Sequence, residues 1–167
     1  MQHRGPIEEF TDADWRRLMA TNLDAPFFLA RAVIPAMKAR RAGKIVILAS
    51  MAGRATSTFG GAHYTASKAG LFGLTKTLAR EAAFALRASG KLDSGMGVTV
   101  NTVTPGLIET DMVATIPPFM LNKFLEDIPM HRMGQPDEIG RVVCFLAQDA
   151  SAYITGQIWG VNGGIDM

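Results

Sequence analysis

Tyr64 and Lys68 stand four residues apart in the run Tyr64-Thr65-Ala66-Ser67-Lys68. In a helix that spacing puts a phenol and an ammonium on one face, one turn apart. A tyrosine hydroxyl ordinarily keeps its proton up to about pH 10. Proton exchange near neutrality therefore requires roughly 3–4 kcal/mol of preference for phenolate, at ~1.36 kcal/mol per pH unit. An ammonium about 4 Å away contributes ~1 kcal/mol in bulk water but ~4 kcal/mol at an effective dielectric of ~20. Such a pair does acid–base chemistry only in a sheltered cleft. Ser50 closes the apolar, strand-type run that begins at Lys44, and open α/β sheets bind their ligands at the carboxyl ends of strands. Asn22 places an amide between apolar turns of a helical stretch. Together these four groups could move a proton to or from a carbinol oxygen. Taken singly, each has a plain structural reading: Ser50 as a turn cap, Asn22 as a satisfied core amide, Lys68 as a solvated lysine.

The elements that must position them alternate along the chain. Thr11 and Asp14 resemble a capping box that opens a helical stretch from about Asp12 to Arg40, with Pro26 and Pro35 expected to bend or divide it. Gly43 is expected to end it, ahead of a strand over Ile45 to Leu48. A loop rich in small residues, Gly53 to Gly61, leads to a long helix from about Ala62 to Ser89. Ala66, Ala69, Gly70 and Gly73 give that helix a small-residue face. Gly97 to Thr104 is a β-branched strand that stops at Pro105-Gly106. A Met-, Pro- and Phe-rich stretch runs to about Arg132 and contains Met112, Met120, Met130, Met133 and Phe119. Pro136-Asp137-Glu138 starts a helix to about Gln148, and Gln157 to Val161 reads as the last strand. The order α–β–α–β–α–β predicts a parallel sheet.

Five segments then carry a resemblance. Asn22-Leu23, Ile47-Leu48-Ala49-Ser50, Tyr64 to Gly70, Asn101 to Gly106, and Thr155-Gly156-Gln157 with Asn162-Gly163-Gly164 occur in an order that resembles the catalytic half of short-chain dehydrogenases/reductases of the 3-oxoacyl-carrier-protein reductase type. The likeness runs from about Gly5 to the C-terminus; the Ser50-to-Tyr64 loop is one residue longer than usual. It implies the C-terminal portion of a doubly wound Rossmann-type α/β sheet, about three parallel strands with flanking helices, so that residues 1–167 form a single partial domain. It also implies roles. Tyr64 would donate the proton to a carbonyl oxygen, Ser50 would hydrogen-bond that oxygen, and Lys68 would favour phenolate at Tyr64 and contact the nicotinamide ribose. Asn22 would anchor a water leading to Lys68. Pro105, Gly106, Ile108 and Thr110 would line the nicotinamide of NAD or NADP, although Thr110 alone also reads as a helix N-cap. The stretch after Gly106 would be an apolar substrate lid; equally, its methionines would simply fill irregular packing.

A dinucleotide site also needs a strand, a Gly-rich turn, a helix and a ribose reader ~20 residues on. Gly95-Met96-Gly97 precedes a strand and has Val100 where a third glycine belongs, so it does not qualify. The function that the resemblance implies is an NAD(P)-dependent oxidoreductase that interconverts a carbonyl and a secondary alcohol, with a 3-oxoacyl thioester or similar ketone as the small-molecule substrate. The alternative is a non-catalytic fragment or assembly module that docks onto full-length relatives, and the resemblance implies a homo-oligomer or such an association. With three strands, one flank of the sheet is expected to stay open, which invites partners.

Composition narrows the rest. The chain has 167 residues, 48% of them hydrophobic, and a net charge of +2, which gives one domain and no basic stripe for nucleic acid. Lys38, Arg40 and Arg41 read as cations at a helix C-terminus. Cys144, the only cysteine, is expected to be an inert core thiol in a reducing cytoplasm. No apolar run approaches ~18 residues and no signal peptide opens the chain, so neither membrane insertion nor export is expected. His63 is expected at a loop or substrate rim. His3 and His131 lack partners at ligand spacing, so no metal is expected.

Overall fold

Three parallel strands lie side by side in chain order: β1 (Ala42–Leu48), β2 (Gly97–Pro105) and β3 (Ile158–Val161). The computed structural model describes residues 5–55, 60–88 and 97–167. His3, part of the Gly53–Gly61 loop, Ser89 and Gly95-Met96 lie outside the described residues. Parallel strands need crossovers, and helices supply them. The helices are α1 (Asp12–Met19), α2 (Ala25–Arg40), α3 (Ala62–Ala88), the short α4 (Asp111–Ala114), α5 (Pro118–Glu126) and α6 (Pro136–Ala147).

Alternation along the strands divides the core between two faces. Ile47 and Val100 are buried with Leu71 and Ala79 of α3, while Val103 is buried with Ile139 and Leu146 of α6. Central β2 is buried along Val98–Thr104, so its polar side chains must be satisfied internally. Thr102 shares a hydrogen bond with Thr75 of α3, and Asn101 Nδ2 donates to the Ile154 carbonyl at 2.7 Å. On the far side of β1 the described chain carries no further strand, and Leu48 is half exposed there.

Several local expectations hold. Thr11 Oγ1 accepts from the Asp14 N–H at 3.1 Å and Asp14 accepts in return, a complete capping box. Pro136 occupies the first turn of α6, and Arg40 closes the end of α2 by donating to the Ala42 carbonyl at 2.7 Å. Others need correction. Pro35 lies inside α2 without ending it; the break falls earlier, at a π-helical turn over Ala20–Asp24. Pro26 has no N–H for the carbonyl four residues back, Asn22, and its ring crowds that carbonyl; the widened turn takes up the crowding. Helix α2 ends not at Gly43 but at Arg41, in the left-handed region with φ 60°. Cys144 is exposed, not a core thiol, because α6 turns Ile139 and Leu146, seven residues apart, toward the sheet. On α3 only part of the small-residue face meets a neighbour: Gly70 lies against Leu23, while Gly73 faces open space.

An apolar row, Phe27, Phe28, Leu29 and Val33, is exposed on α2, and Arg31 lies over both phenyl rings. No helix among the described residues is long and apolar enough to cross a membrane.

Candidate active site

Because all three strands run the same way, Leu48, Pro105 and Val161 end at one edge of the sheet. The expected site residues gather there. Ser50 lies two residues beyond β1; Tyr64 and Lys68 lie in the first two turns of α3; Pro105 ends β2 and Gly106 follows it.

Lys68 fastens helix to strand. Its Nζ donates to the Leu48 carbonyl at 3.3 Å and sits 5.7 Å from the centre of the Tyr64 ring, a cation–π distance. Burial lowers the Lys68 pKa from its ordinary 10.5, since the apolar surroundings disfavour the charged form. The ammonium has three donors, so the bond to Leu48 leaves two for other partners.

Ser50 is fixed by the turn that it caps. Met51–Gly53 form one turn of 3₁₀ helix, and the Ser50 Oγ accepts from the Ala52 N–H at 3.2 Å. The capping role is therefore real, and it leaves the hydroxyl proton and a lone pair uncommitted by that bond. Gly53 must be glycine: an added Cβ would stand 2.8 Å from the Lys68 carbonyl carbon, the Ala69 nitrogen and the Phe72 ring. The turn thus rests directly on α3 at Lys68.

Asn22 is tied to α3 by its side chain. Its Nδ2 donates to Ser67 Oγ at 3.1 Å, and Ser67 Oγ donates to the Tyr64 carbonyl at 2.7 Å. The side chain therefore reaches the tyrosine's turn through a fully buried serine. Ser67 was missed by sequence reasoning although it lies between Tyr64 and Lys68; a polar residue at a helix position facing Asn22 was the available signal.

His63 is buried, not at a rim, and its ring lies tilted against Phe10 with centroids 4.1 Å apart. Phe10 precedes α1 and covers the start of α3, a long-range contact with no local signature.

After β2, Gly106 donates to the Val161 carbonyl at 3.0 Å and abuts Asn162, where a Cβ would come within 2.7 Å. Ile108 forms a parallel bridge with Gly134, and Thr110 Oγ1 donates to the Ile108 carbonyl at 3.3 Å. Thr110 also precedes α4 as its N-cap, without a side-chain cap bond. In the stretch beyond, Met120 and Met133 pack against Leu107, Ile116 and Ile128, whereas Phe119 and Met130 are exposed. A cavity of about 750 Å³ opens on the β3 side, lined by Leu107, Ile108 and Met130 among others but not by Ser50, Tyr64 or Lys68.

Comparison with known proteins gives this arrangement a lineage. A family model described as enoyl-(acyl carrier protein) reductase matches residues 1–166. The 3-oxoacyl-[acyl-carrier-protein] reductase of Escherichia coli K12 is 41% identical over 93% of this chain and 59% of its own length. The acetoacetyl-CoA reductase of Allochromatium vinosum is 39% identical over 96% of this chain and 61% of its own length. The crystal structure of a 3-oxoacyl-[acyl-carrier protein] reductase with bound NAD from Brucella melitensis superposes with a TM-score of 0.84 at 33% identity, over 100% of this chain and 56% of that one. The chain thus spans about three-fifths of the length of these curated relatives. Over the share it spans, it belongs to the short-chain dehydrogenase/reductase family.

Proposed function

We propose that this chain carries the proton-transfer machinery of an NAD(P)-dependent reductase that interconverts a carbonyl and a secondary alcohol, with a 3-oxoacyl thioester or similar ketone as substrate. The observation that carries the reading is the Lys68–Leu48 hydrogen bond, which seats the Tyr64–Lys68 turn against the strand end that leads to Ser50. The relatives' names, 3-oxoacyl-[acyl-carrier-protein] reductase and acetoacetyl-CoA reductase, support the substrate class.

Tyr64 donates its proton to the carbonyl oxygen as the alcohol forms, and Ser50 donates a hydrogen bond that orients that oxygen. Lys68 stands beside the Tyr64 ring, 5.7 Å from its centre. Its two further donors suit the hydroxyls of a ribose, so the residues present fit the nicotinamide half of a dinucleotide, with Pro105, Gly106, Ile108 and Thr110 beside it. The cofactor supplies the hydride, which no side chain can provide. The Asn22 amide spends one N–H on Ser67, which leaves its other polar groups to anchor a water that relays protons to Lys68. The sequence holds no G-x-G-x-x-G turn of the kind that cradles a dinucleotide's phosphates, so affinity of the chain alone for the dinucleotide is expected to be weak.

The second reading, a module that docks onto a second copy or a longer relative without turnover, is favoured by the apolar row Phe27, Phe28, Leu29 and Val33 exposed on α2. One experiment separates the two. NADPH and NADH are titrated into the chain by fluorescence, followed by turnover of 3-oxoacyl thioesters and small ketones, with Tyr64→Phe as control. Saturable binding and turnover that Tyr64→Phe abolishes support catalysis. Absence of binding up to millimolar cofactor overturns catalysis by this chain and supports docking.

A further inference from the structure

Ser50 opens a turn that is anchored at both ends. At the inner end Gly53 lies on the backbone of α3. At the outer end Arg54, next in the chain, leaves the helix and crosses to the last strand. Its Nη1 meets Asp166 Oδ2 at 3.2 Å and its Nη2 donates to the Ile158 carbonyl. Asp166 is itself held by Asn162 Nδ2 at 2.5 Å, and its side chain is only 12% exposed against 35% for Arg54.

The direction of the Ile158 carbonyl matters. The Gln157 and Val161 carbonyls accept from β2 backbone N–H groups, and the Trp159 carbonyl accepts from Thr104 Oγ1. By alternation the Ile158 carbonyl points away from β2, along the open edge of the sheet. A planar guanidinium can bond that carbonyl and a carboxylate at once; a lysine ammonium matches the fork less well. Arg54 therefore joins the turn after Ser50 to β3 and to the C-terminal tail, across 112 positions of sequence.

We propose that Arg54 is a positioning residue: by clamping its turn to Ile158 and Asp166 it sets where the Ser50 hydroxyl stands. The proposal rests on the role given to Ser50 above. Arg54→Met removes the clamp, and Asp166→Asn weakens it while keeping the side chain's shape, which covers the case in which Arg54→Met fails to fold. Two readouts are used.

The first is hydrogen exchange of the segment 49–55 in the full chain, which does not depend on turnover. It should quicken several-fold in Arg54→Met and Asp166→Asn, and Arg54→Lys should lie between these and the wild type. The second is ketone reduction. Misplacing a reacting group by about 1 Å costs on the order of 100-fold, so kcat should fall by between about 10- and 100-fold with KM little changed. In a Ser50→Ala background Arg54→Met should then cost nothing further. Unchanged exchange in segment 49–55, or an undiminished loss in the Ser50→Ala background, overturns the proposal. Should the wild-type chain reduce no ketone, the catalytic reading fails on its own account and the exchange result alone decides on Arg54.

Discussion

Lys68 and Leu48 are joined by a side-chain-to-backbone hydrogen bond of 3.3 Å across 20 positions of sequence. That bond uses the last carbonyl of β1, which the strand no longer needs for pairing, to hold an ammonium next to a tyrosine. The same helix turn receives Asn22 through Ser67 and the Ser50 turn through Gly53. Two segments far apart in sequence, one at Asn22 and one running from Leu48 to Gly53, thus converge on one turn of α3.

The first prediction concerns the proton on Lys68. Burial lowers its pKa from 10.5, so the folded chain sheds this proton at lower pH than the unfolded chain does. Between the two values the unfolded chain binds more protons, and stability rises with pH there. At lower pH the buried ammonium carries its full desolvation cost. The unfolding free energy of the wild type minus that of Lys68→Met, from urea titrations, should be flat at low pH and climb as pH approaches 10.5. A difference that falls over this interval would contradict the assignment.

Glu138 gives the opposite dependence. Arg132 grips it with bonds of 2.8 and 2.6 Å, and the Gln135 N–H adds a third at 2.7 Å. These hold its pKa at about 2, against an ordinary 4.5. The stabilisation is present above 4.5 and is lost as pH falls through about 2. Glu138→Gln should therefore unfold at higher pH than the wild type in an acid titration, and the two should converge near pH 2. Both side chains are about one-third exposed or more, so added salt should narrow the gap.

Asn22→Ala isolates the amide's structural task. It removes one donor to a fully buried serine hydroxyl, a loss of about 1 kcal/mol in a typical case. Because Ser67 still donates to the Tyr64 carbonyl, the start of α3 should persist. Denaturant unfolding should show the lower stability with an unchanged m-value. A loss below about 0.5 kcal/mol, the lower end for such bonds, would mean that the Asn22 side chain contributes little through Ser67.

Much of this was legible in the sequence, for reasons that differ by element. β2 is a β-branched run between glycine and proline, and its flanking helices are long enough to demand parallel crossovers. Thr11 and Pro136 are local start signals, and both operate as local chemistry dictates. Tyr64, Lys68 and Ser50 can be singled out as candidates because their motif is short and each lies in or next to an element of clear type. The misses are contacts made at a distance. Cys144 looked buried because it sits in an apolar run, yet its helix has only one sheet to face. His63 is covered by Phe10, and Arg54 meets Ile158 and Asp166. Pro26 signals a disturbed helix, and the disturbance is one widened turn ahead of it. No periodicity in the chain encodes these meetings; they exist only once the helices are laid on the sheet.

Gly53→Ala tests whether the Ser50 turn depends on touching α3. The new methyl would lie 2.8 Å from backbone atoms of Lys68 and Ala69, which cannot yield as a flexible side-chain end could, and from the Phe72 ring. Overpacking of this kind costs about 1–3 kcal/mol. Relief comes by lifting the turn off the helix, and Ser50 caps that turn, so the hydroxyl moves with it. Both a lower urea midpoint and faster exchange of the Ala52 and Gly53 amides should result. If stability falls while these amides stay as protected as in the wild type, the strain has been absorbed by Phe72 and α3, and the turn holds its place without the glycine.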